Sequence, residues 1–516
     1  MGFFRSILRG KPRRHKPSSS PPPVLSPASG QGPISKDLES NIQQLQARLS
    51  QSPDLVTRRF PIKSTGERAA LIYLDSLSDK VAVNHDVLRP LMHETSADPQ
   101  IENLVTVGRI KSETGLGQIV KDILQGASAL FIANKGAAYI IDTHGWPQRA
   151  IEDPQLEASL KGAHQGFVET SSQNIALIRR YIPDRELKMI ELEVGARGLT
   201  TVSILYLADV AKPEVLQELV DRIKQIDIDA LLSSGELEEY IEDNPYSPFP
   251  QFSTTERPDS VASQILQGRL AIVVDKSPGV LIGPANFAMF FQSIDDYSIR
   301  WQVSSFIRLL RFGAFFLTIF LPSFYIAVIS YNFEVIPLKL LLSVGESRQG
   351  VPFPPIVEAL IMELTLEMLK EAGIRLPAPI GQTVGIVGAI VIGQATVQAG
   401  VVSNIMVIVV SLTALSSFII PNNDMSAAIR LIRFPMMLAA FVYGLLGVGI
   451  GMLIVLGHLI SLESLGTPYF SPFGPLRFAD LKDSIIRLPM WKMVKRPLSS
   501  GAVQQRKHGS NRGGNR

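Results

Sequence analysis

The chain has 516 residues, a formal net charge of +3 and no cysteine. That length allows two or three folding units, each with its own core, and the missing thiol excludes disulfides, thiolate catalysis and cysteine-based metal sites. Mean hydropathy is only slightly positive because a polar first part is averaged with a very apolar last part.

Residues 1–33 are basic and then rich in Ser and Pro (KPSSSPPPVLSPASGQGP). They are too poor in apolar side chains to build a core and are expected to be a disordered or polyproline-like arm. The opening MGFFRS fits the Met-Gly-x-x-x-Ser/Thr acylation pattern, a loose one that often arises by coincidence. No long apolar run follows the first basic residues, so no signal peptide is expected and the head is placed in the cytoplasm. Leu38, Ile42, Leu45 and Leu49 share one helical face, and Pro53 ends that helix.

Strand and helix signals then alternate, which predicts an α/β head of two subdomains, residues 34–165 and 166–295. Residues 129–133 and 137–142 flank the turn Asn134-Lys135-Gly136, and residues 270–274 and 280–283 flank Asp275-Lys276-Ser277-Pro278-Gly279. The two hairpins hint at a duplicated unit. Helices over 170–181 and 213–225 and strands over 187–194 and 201–208 lie between them. Asp221, Asp227, Asp229, Glu236, Glu238, Glu239, Glu242 and Asp243 form an acidic stretch that reads as a solvated face.

From residue 300 to 465 the chain reads as an α-helical integral membrane domain. Residues 376–423 contain no Asp, Glu, Lys or Arg, and two more uncharged runs flank them. A charge at a bilayer centre costs about 2.5–3.5 kcal/mol, so charge-free runs of span length point to lipid. Four spans are predicted, at 312–333, 380–402, 405–420 and 436–459. A fifth helix, 355–372, is amphipathic: Val357, Leu360, Ile361, Leu364, Met368 and Leu369 share one face, and Glu363, Glu367 and Glu371 another. That pattern predicts an interfacial helix or a subunit seam, with the Glu stripe toward water. Four spans put both ends on one side, and the basic tail, 466–516, suits contact with anionic headgroups there. The nucleic-acid reading of the same charge lacks interleaved aromatic residues.

No phosphate-binding loop, zinc-protease pair or nucleophile elbow is present, and Asp142 and His144 are a lone pair best read as a loop cap. No enzyme activity, cofactor or metal site is expected. Gly381 and Gly385, then Gly447 and Gly451, have the spacing that lets helices approach closely.

The segment FPPIVEALIMELTLEMLKEAGIRLPAPIGQTVGIVGAIVIGQATVQAGVVSNIMVIVVSLTALSSFIIP, with RLIRFPMMLAAFVYGLLG and SPFGPLRFADLKDSIIRLP after it, resembles the A subunits of GerA-type spore germinant receptors. The likeness runs from about Ile175 to Pro497. One departure is Gln398, where many members are expected to carry Glu. The resemblance implies a subunit of a nutrient-responsive complex in the inner spore membrane, with a transporter-like B subunit and a lipoprotein C subunit as partners. It also implies that A subunits oligomerise into an ion-conducting path. A secondary transporter is the alternative, but four spans are few for one, and its midplane site would want broken helices or buried charges, neither of which is read in the sequence. Within 380–402, Thr383, Val387, Val391, Gln394 and Gln398 fall on one narrow helical face and are the pore-lining candidates. One such helix encloses nothing, so a ring of subunits is required, with Val387 and Val391 as an apolar constriction. Glu363, Glu367 and Glu371 are vestibule or seam candidates.

Overall fold

The central strands of the head are unbroken apolar runs, such as Ser-Ala-Leu-Phe-Ile at 128–132 and Leu-Ala-Ile-Val-Val at 270–274, and every residue in both is buried. Runs of this kind suit a sheet covered on both faces. The computed structural model, which describes residues 34–50, 52–95, 100–145, 164–377, 380, 388, 391–478 and 480–507, has two such sheets.

The first unit opens with α1 (Leu38–Arg48), capped by the Asp37 carboxylate on the Glu39 and Ser40 amides. Then come β1 (Leu55–Pro61), β2 (Arg68–Leu74), β3 (Ile110–Glu113), α2 (Leu116–Leu124), β4 (Ser128–Ile132) and β5 (Ala138–Ile141). The second unit holds α3 (Ser171–Tyr181), β6 (Leu187–Val194), β7 (Thr200–Leu207), α4 (Pro213–Lys224), α5 (Ser234–Ile241), β8 (Ser253–Thr255), α6 (Pro258–Ile265), β9 (Leu270–Val274) and β10 (Val280–Gly283). The sheet orders are β1-β2-β4-β5-β3 and β6-β7-β9-β10-β8, antiparallel throughout. They are the same topology twice.

Small details repeat as well. Ser35 N donates to Asn41 Oδ1 at 2.9 Å, and Val168 N donates to Asn174 Oδ1 at 2.9 Å. Asn134 and Lys276 both take positive φ in the hairpin turns, and their amides reach Lys36 O and Glu169 O. In each unit the hydrogen bonds tie the start of the first helix to the last hairpin. One difference is informative. In the first unit Gly145 N closes on Leu77 O, whereas in the second Val503 N closes on Val210 O, both at 2.9 Å. The C-terminal segment supplies what continuous chain supplies in the first unit.

A helical bundle follows: α7 (Trp301–Ser330), α8 (Leu338–Arg348), α9 (Pro355–Arg375), α10 (Asn404–Ile419) and α11 (Asn423–Ser461). Among the described residues, α7 and α11 are long and apolar enough to cross a membrane, and α10 is a shorter apolar helix. The expected span 312–333 falls largely in α7, 405–420 corresponds to α10, and of 380–402 the residues 381–387 and 389–390 lie outside the described residues.

The run 436–459, read above as one span, is not one straight helix. Gly444 takes φ +62° and ψ −141°, a conformation open to glycine because it lacks a Cβ, and the chain doubles back there. A Cβ on Gly447 would meet the Ala439 carbonyl, and one on Gly451 the Met436 sulfur. Residues eight and fifteen apart in sequence touch only in a hairpin. Both arms are apolar, so hydropathy carries no sign of the turn. At the hairpin tip Tyr331 Oη donates to Phe441 O at 2.6 Å, and Leu445 N donates to Asn332 Oδ1 at 3.3 Å. The far end of α7 thus holds the tip. At the other end His458 pairs with Ser247 of the head at 2.9 Å, while Pro421 and Asn422 abut the second unit. The first and last helices therefore start and finish beside the head.

Candidate functional site: an ion-pair ladder inside the bundle

α9 is turned the opposite way from the expectation. Leu364 and Met368 are 52% and 65% exposed, while Glu358 and Glu363 are fully buried. The Glu stripe does not face water along its length, because the bundle provides arginines to meet it. Glu358 is 2.7 Å from Arg348 and accepts the Ser403 amide at 2.9 Å. Glu363 is 2.7 Å from Arg433, and Glu367 is 3.2 Å from Arg430. Glu371 lies past the end of this ladder, exposed and paired with Arg375. The three inner carboxylates span about 14 Å of helix at 1.5 Å per residue. They join α9 to α8, to the start of α10 and to the first arm of α11. Arg430 and Arg433 are the internal partners of Glu367 and Glu363.

Such pairs carry a desolvation penalty that their mutual attraction only partly offsets, so they are poor glue and good registers. An ordinary apolar contact tolerates sliding by a fraction of a turn. A buried carboxylate opposite one guanidinium does not.

A second polar hub lies where α7 meets the head. Asp296 is buried against Arg308 at 2.8 Å and Arg311 at 2.9 Å. Arg308 also meets Asp483 at 2.9 Å, and Tyr297 donates to that carboxylate at 2.8 Å. Arg487 donates to the carbonyls of Asp296 and Ile299. The tail is thereby locked to the helix entry. Its Arg487 and Arg496 are buried in this packing rather than free to meet headgroups. Next to the hub, a cavity of about 330 Å³ is lined by Arg257, Asp295, Arg311 and Asn422, and its guanidiniums and carboxylates are already paired. On α5, burial and the neighbouring Glu242 and Asp424 push the Glu238 carboxyl up to about 8.

The pore-lining candidates divide. Thr383 and Val387 lie outside the described residues, Val391 is described in its backbone only, and Gln394 and Gln398 are exposed. Asp142 and His144 are in contact, and His144 bridges to Ser78, which makes the pair a strut between loops. Among the described residues no cluster has metal-binding geometry. Sequence reasoning missed the ladder because it set the carboxylates of α9 toward water and gave Arg430 and Arg433 of α11 no part beside them. Their reciprocal spacing was the signal: Glu363 and Glu367 are four apart, and Arg430 and Arg433 three apart.

The match to known proteins covers these helices and nearly all of the head. The family described as Bacillus/Clostridium GerA spore germination protein matches residues 43–499. The chain belongs to the GerA family of spore germination proteins. Spore germination protein KA of Bacillus subtilis is 40% identical over 473 residues, 90% of this chain and 87% of that protein. The uncharacterized membrane protein YfkQ of the same organism is 40% identical over 470 residues, 90% and 91% of the two chains. The crystal structure of the N-terminal domain of the A subunit of the Bacillus megaterium spore germinant receptor GerK3 is 27% identical. It spans 50% of this chain and 98% of that domain, with a TM-score of 0.38. The GerA match begins at residue 43, so it takes in the first α/β unit as well, ahead of the stretch from about Ile175 on which the resemblance was noted above.

Proposed function

We propose that this chain is the A subunit of a spore germinant receptor, a nutrient-responsive complex of the inner spore membrane. The observation that carries this reading is the match to germination proteins along about nine-tenths of the chain, head and helices together. A transporter-like B subunit and a lipoprotein C subunit are its partners. The head and the C-terminal segment lie on the cytoplasmic side, a placement supported by the way α7 starts and α11 ends against the second unit. The chain acts without catalysis: several copies associate in a ring and form an ion-conducting path, with Thr383, Val387, Val391, Gln394 and Gln398 toward its axis. The Glu358, Glu363 and Glu367 pairs hold α9 in register against its neighbours while the path is closed, and Glu371 and Arg375 stand at the subunit seam.

Spores carrying Val387→Ala test this reading. Widening an apolar constriction makes it wet more easily. Such spores should leave dormancy without nutrient, at a receptor abundance equal to that of the parent. Spores that hold normal receptor levels and still wait for nutrient would remove Val387 from the gate. Spores lacking the chain should lose the response to at least one amino acid or sugar. An unchanged response across the whole panel would remove the receptor assignment.

A further inference from the structure

The segment Lys482–Lys495 is fixed at one height along α7. Ser305 Oγ donates to Arg487 O at 3.0 Å and accepts from Arg487 N at 3.2 Å, and Arg308 holds Asp483 at 2.9 Å. The uncharged run of α7 starts at Phe312. Residues 305–308 therefore lie about 6–10 Å before it, at the outer edge of the ~5–7 Å headgroup layer that borders a bilayer's hydrocarbon.

What this segment turns inward and outward differs in kind. Asp483 and Arg487 are spent on the hub. Outward go Ile486, Met490 and Trp491, all exposed, and the exposed Lys482, Lys492 and Lys495. Lys492 Nζ sits 5.0 Å from the Trp491 ring centre. The outward set is apolar and cationic with no carboxylate in it. Trp301, Phe306 and Leu309 are also exposed, on the first turns of α7, the stretch to which Ser305 and Arg308 tie the segment.

We propose that Lys482–Lys495 is a lipid-facing collar at the entry of α7. Ile486, Met490 and Trp491 sit in the bilayer interface, and Lys482, Lys492 and Lys495 bind the phosphates of anionic phospholipids. Tryptophan favours this layer because its ring is amphipathic, and long lysines reach from it to phosphate. Each basic group beside an anionic surface strengthens partitioning by about fivefold. Charge complementarity and continuity with the exposed face of α7 select lipid over a protein partner. Because Asp483 and Arg487 anchor the collar to Arg308 and Asp296, a change in surface charge bears directly on the joint between head and helices. The inference rests on the bundle lying in a membrane, and it stands whether or not the chain conducts ions.

Trp146, Trp301 and Trp491 are the tryptophans of the chain, which makes the test direct. The full chain carrying Trp146→Phe and Trp301→Phe is placed in nanodiscs of phosphatidylcholine with or without phosphatidylglycerol, each holding lipids spin-labelled near the headgroup or deep in the chain. Emission from Trp491 should be quenched by the shallow label, more so with phosphatidylglycerol. Lys482→Gln, Lys492→Gln and Lys495→Gln together should abolish that enhancement. A companion with all three tryptophans changed to Phe and Phe316→Trp, mid-way along α7, should be quenched by the deep label. A quenched companion with an unquenched Trp491 overturns the collar and leaves the membrane reading standing. Neither quenched overturns both. Quenching of Trp491 that ignores the three lysine substitutions overturns the anionic-lipid assignment.

Discussion

Replacing Glu363 by Gln should strand a guanidinium inside the bundle. Arg433 is 3% exposed and Glu363 fully buried, with 2.7 Å between them. Glu363 Oε1 and Arg433 Nε have no hydrogen-bond partner among the described residues, so little stands by to compensate. Removing one member of a buried pair costs about 3–5 kcal/mol, because the other keeps its desolvation penalty without its counter-charge. At about 2–4 °C per kcal/mol for a unit of this size, the melting temperature should fall on the order of 10 °C. The double variant Glu363→Gln with Arg433→Met removes both charges and should recover most of the loss, a coupling of about 2 kcal/mol or more. Glu367→Gln is the contrast: its carboxylate is 41% exposed, so screening reduces the pair with Arg430 to about 0.2–1 kcal/mol. The assay is thermal unfolding of the purified full chain in detergent, followed by helical circular dichroism. A Glu363→Gln chain that melts with the parent would refute the reasoning, as would a double variant as unstable as the two single losses added together.

The hairpin in α11 predicts that Gly447→Ala is disruptive, since its new methyl meets the backbone oxygen of Ala439, while Gly451→Ala meets the flexible end of Met436 and is tolerated. Equal melting temperatures for the two variants would contradict the doubled-back geometry. Burial, with Glu242 and Asp424 nearby, holds Glu238 at about 8, above its ordinary 4.5, so the folded chain keeps a proton that the unfolded chain gives up. Stability is therefore fully present below about pH 4.5 and is lost as pH rises toward 8, and Glu238→Gln should flatten a melting profile taken from pH 5 to 9; an unchanged profile would contradict it. Arg308→Met cuts the tie to Asp483 and should loosen the backbone around the exposed Lys482, Lys492 and Lys495, so that trypsin cuts there before it cuts the head. Tail and head cut at the same rate would show that the hub does not hold the segment.

Much of the head could be read from the sequence because its signals are local. The runs at 270–274 and 280–283 match β9 and β10 residue for residue, and the strand over 187–194 matches β6. Strands β1, β3 and β8 escaped notice. They are edge strands, partly exposed, whose place is set by pairing with β2, β5 and β10 rather than by their own composition. In the bundle, local reading failed for a different reason. Hydropathy scores each residue against lipid or water, so it cannot foresee Glu363 neutralised by Arg433 seventy residues away, nor a turn between two apolar arms at Gly444. The basic tail was legible as charge but not as structure. Arg487 and Arg496 are spent on carbonyls of the head and the tail itself, while Lys482, Lys492 and Lys495 remain outward. Of the proposed site, Gln394 and Gln398 are exposed in the single chain.

Planar-bilayer recording of the purified chain, parent beside Val387→Ala, tests ion conduction most directly. The account predicts that the parent reconstitutes as an oligomer that is closed at rest, and that Val387→Ala gives discrete unitary currents under the same conditions. Correctly assembled oligomers of both chains that pass no current at any applied voltage would contradict it.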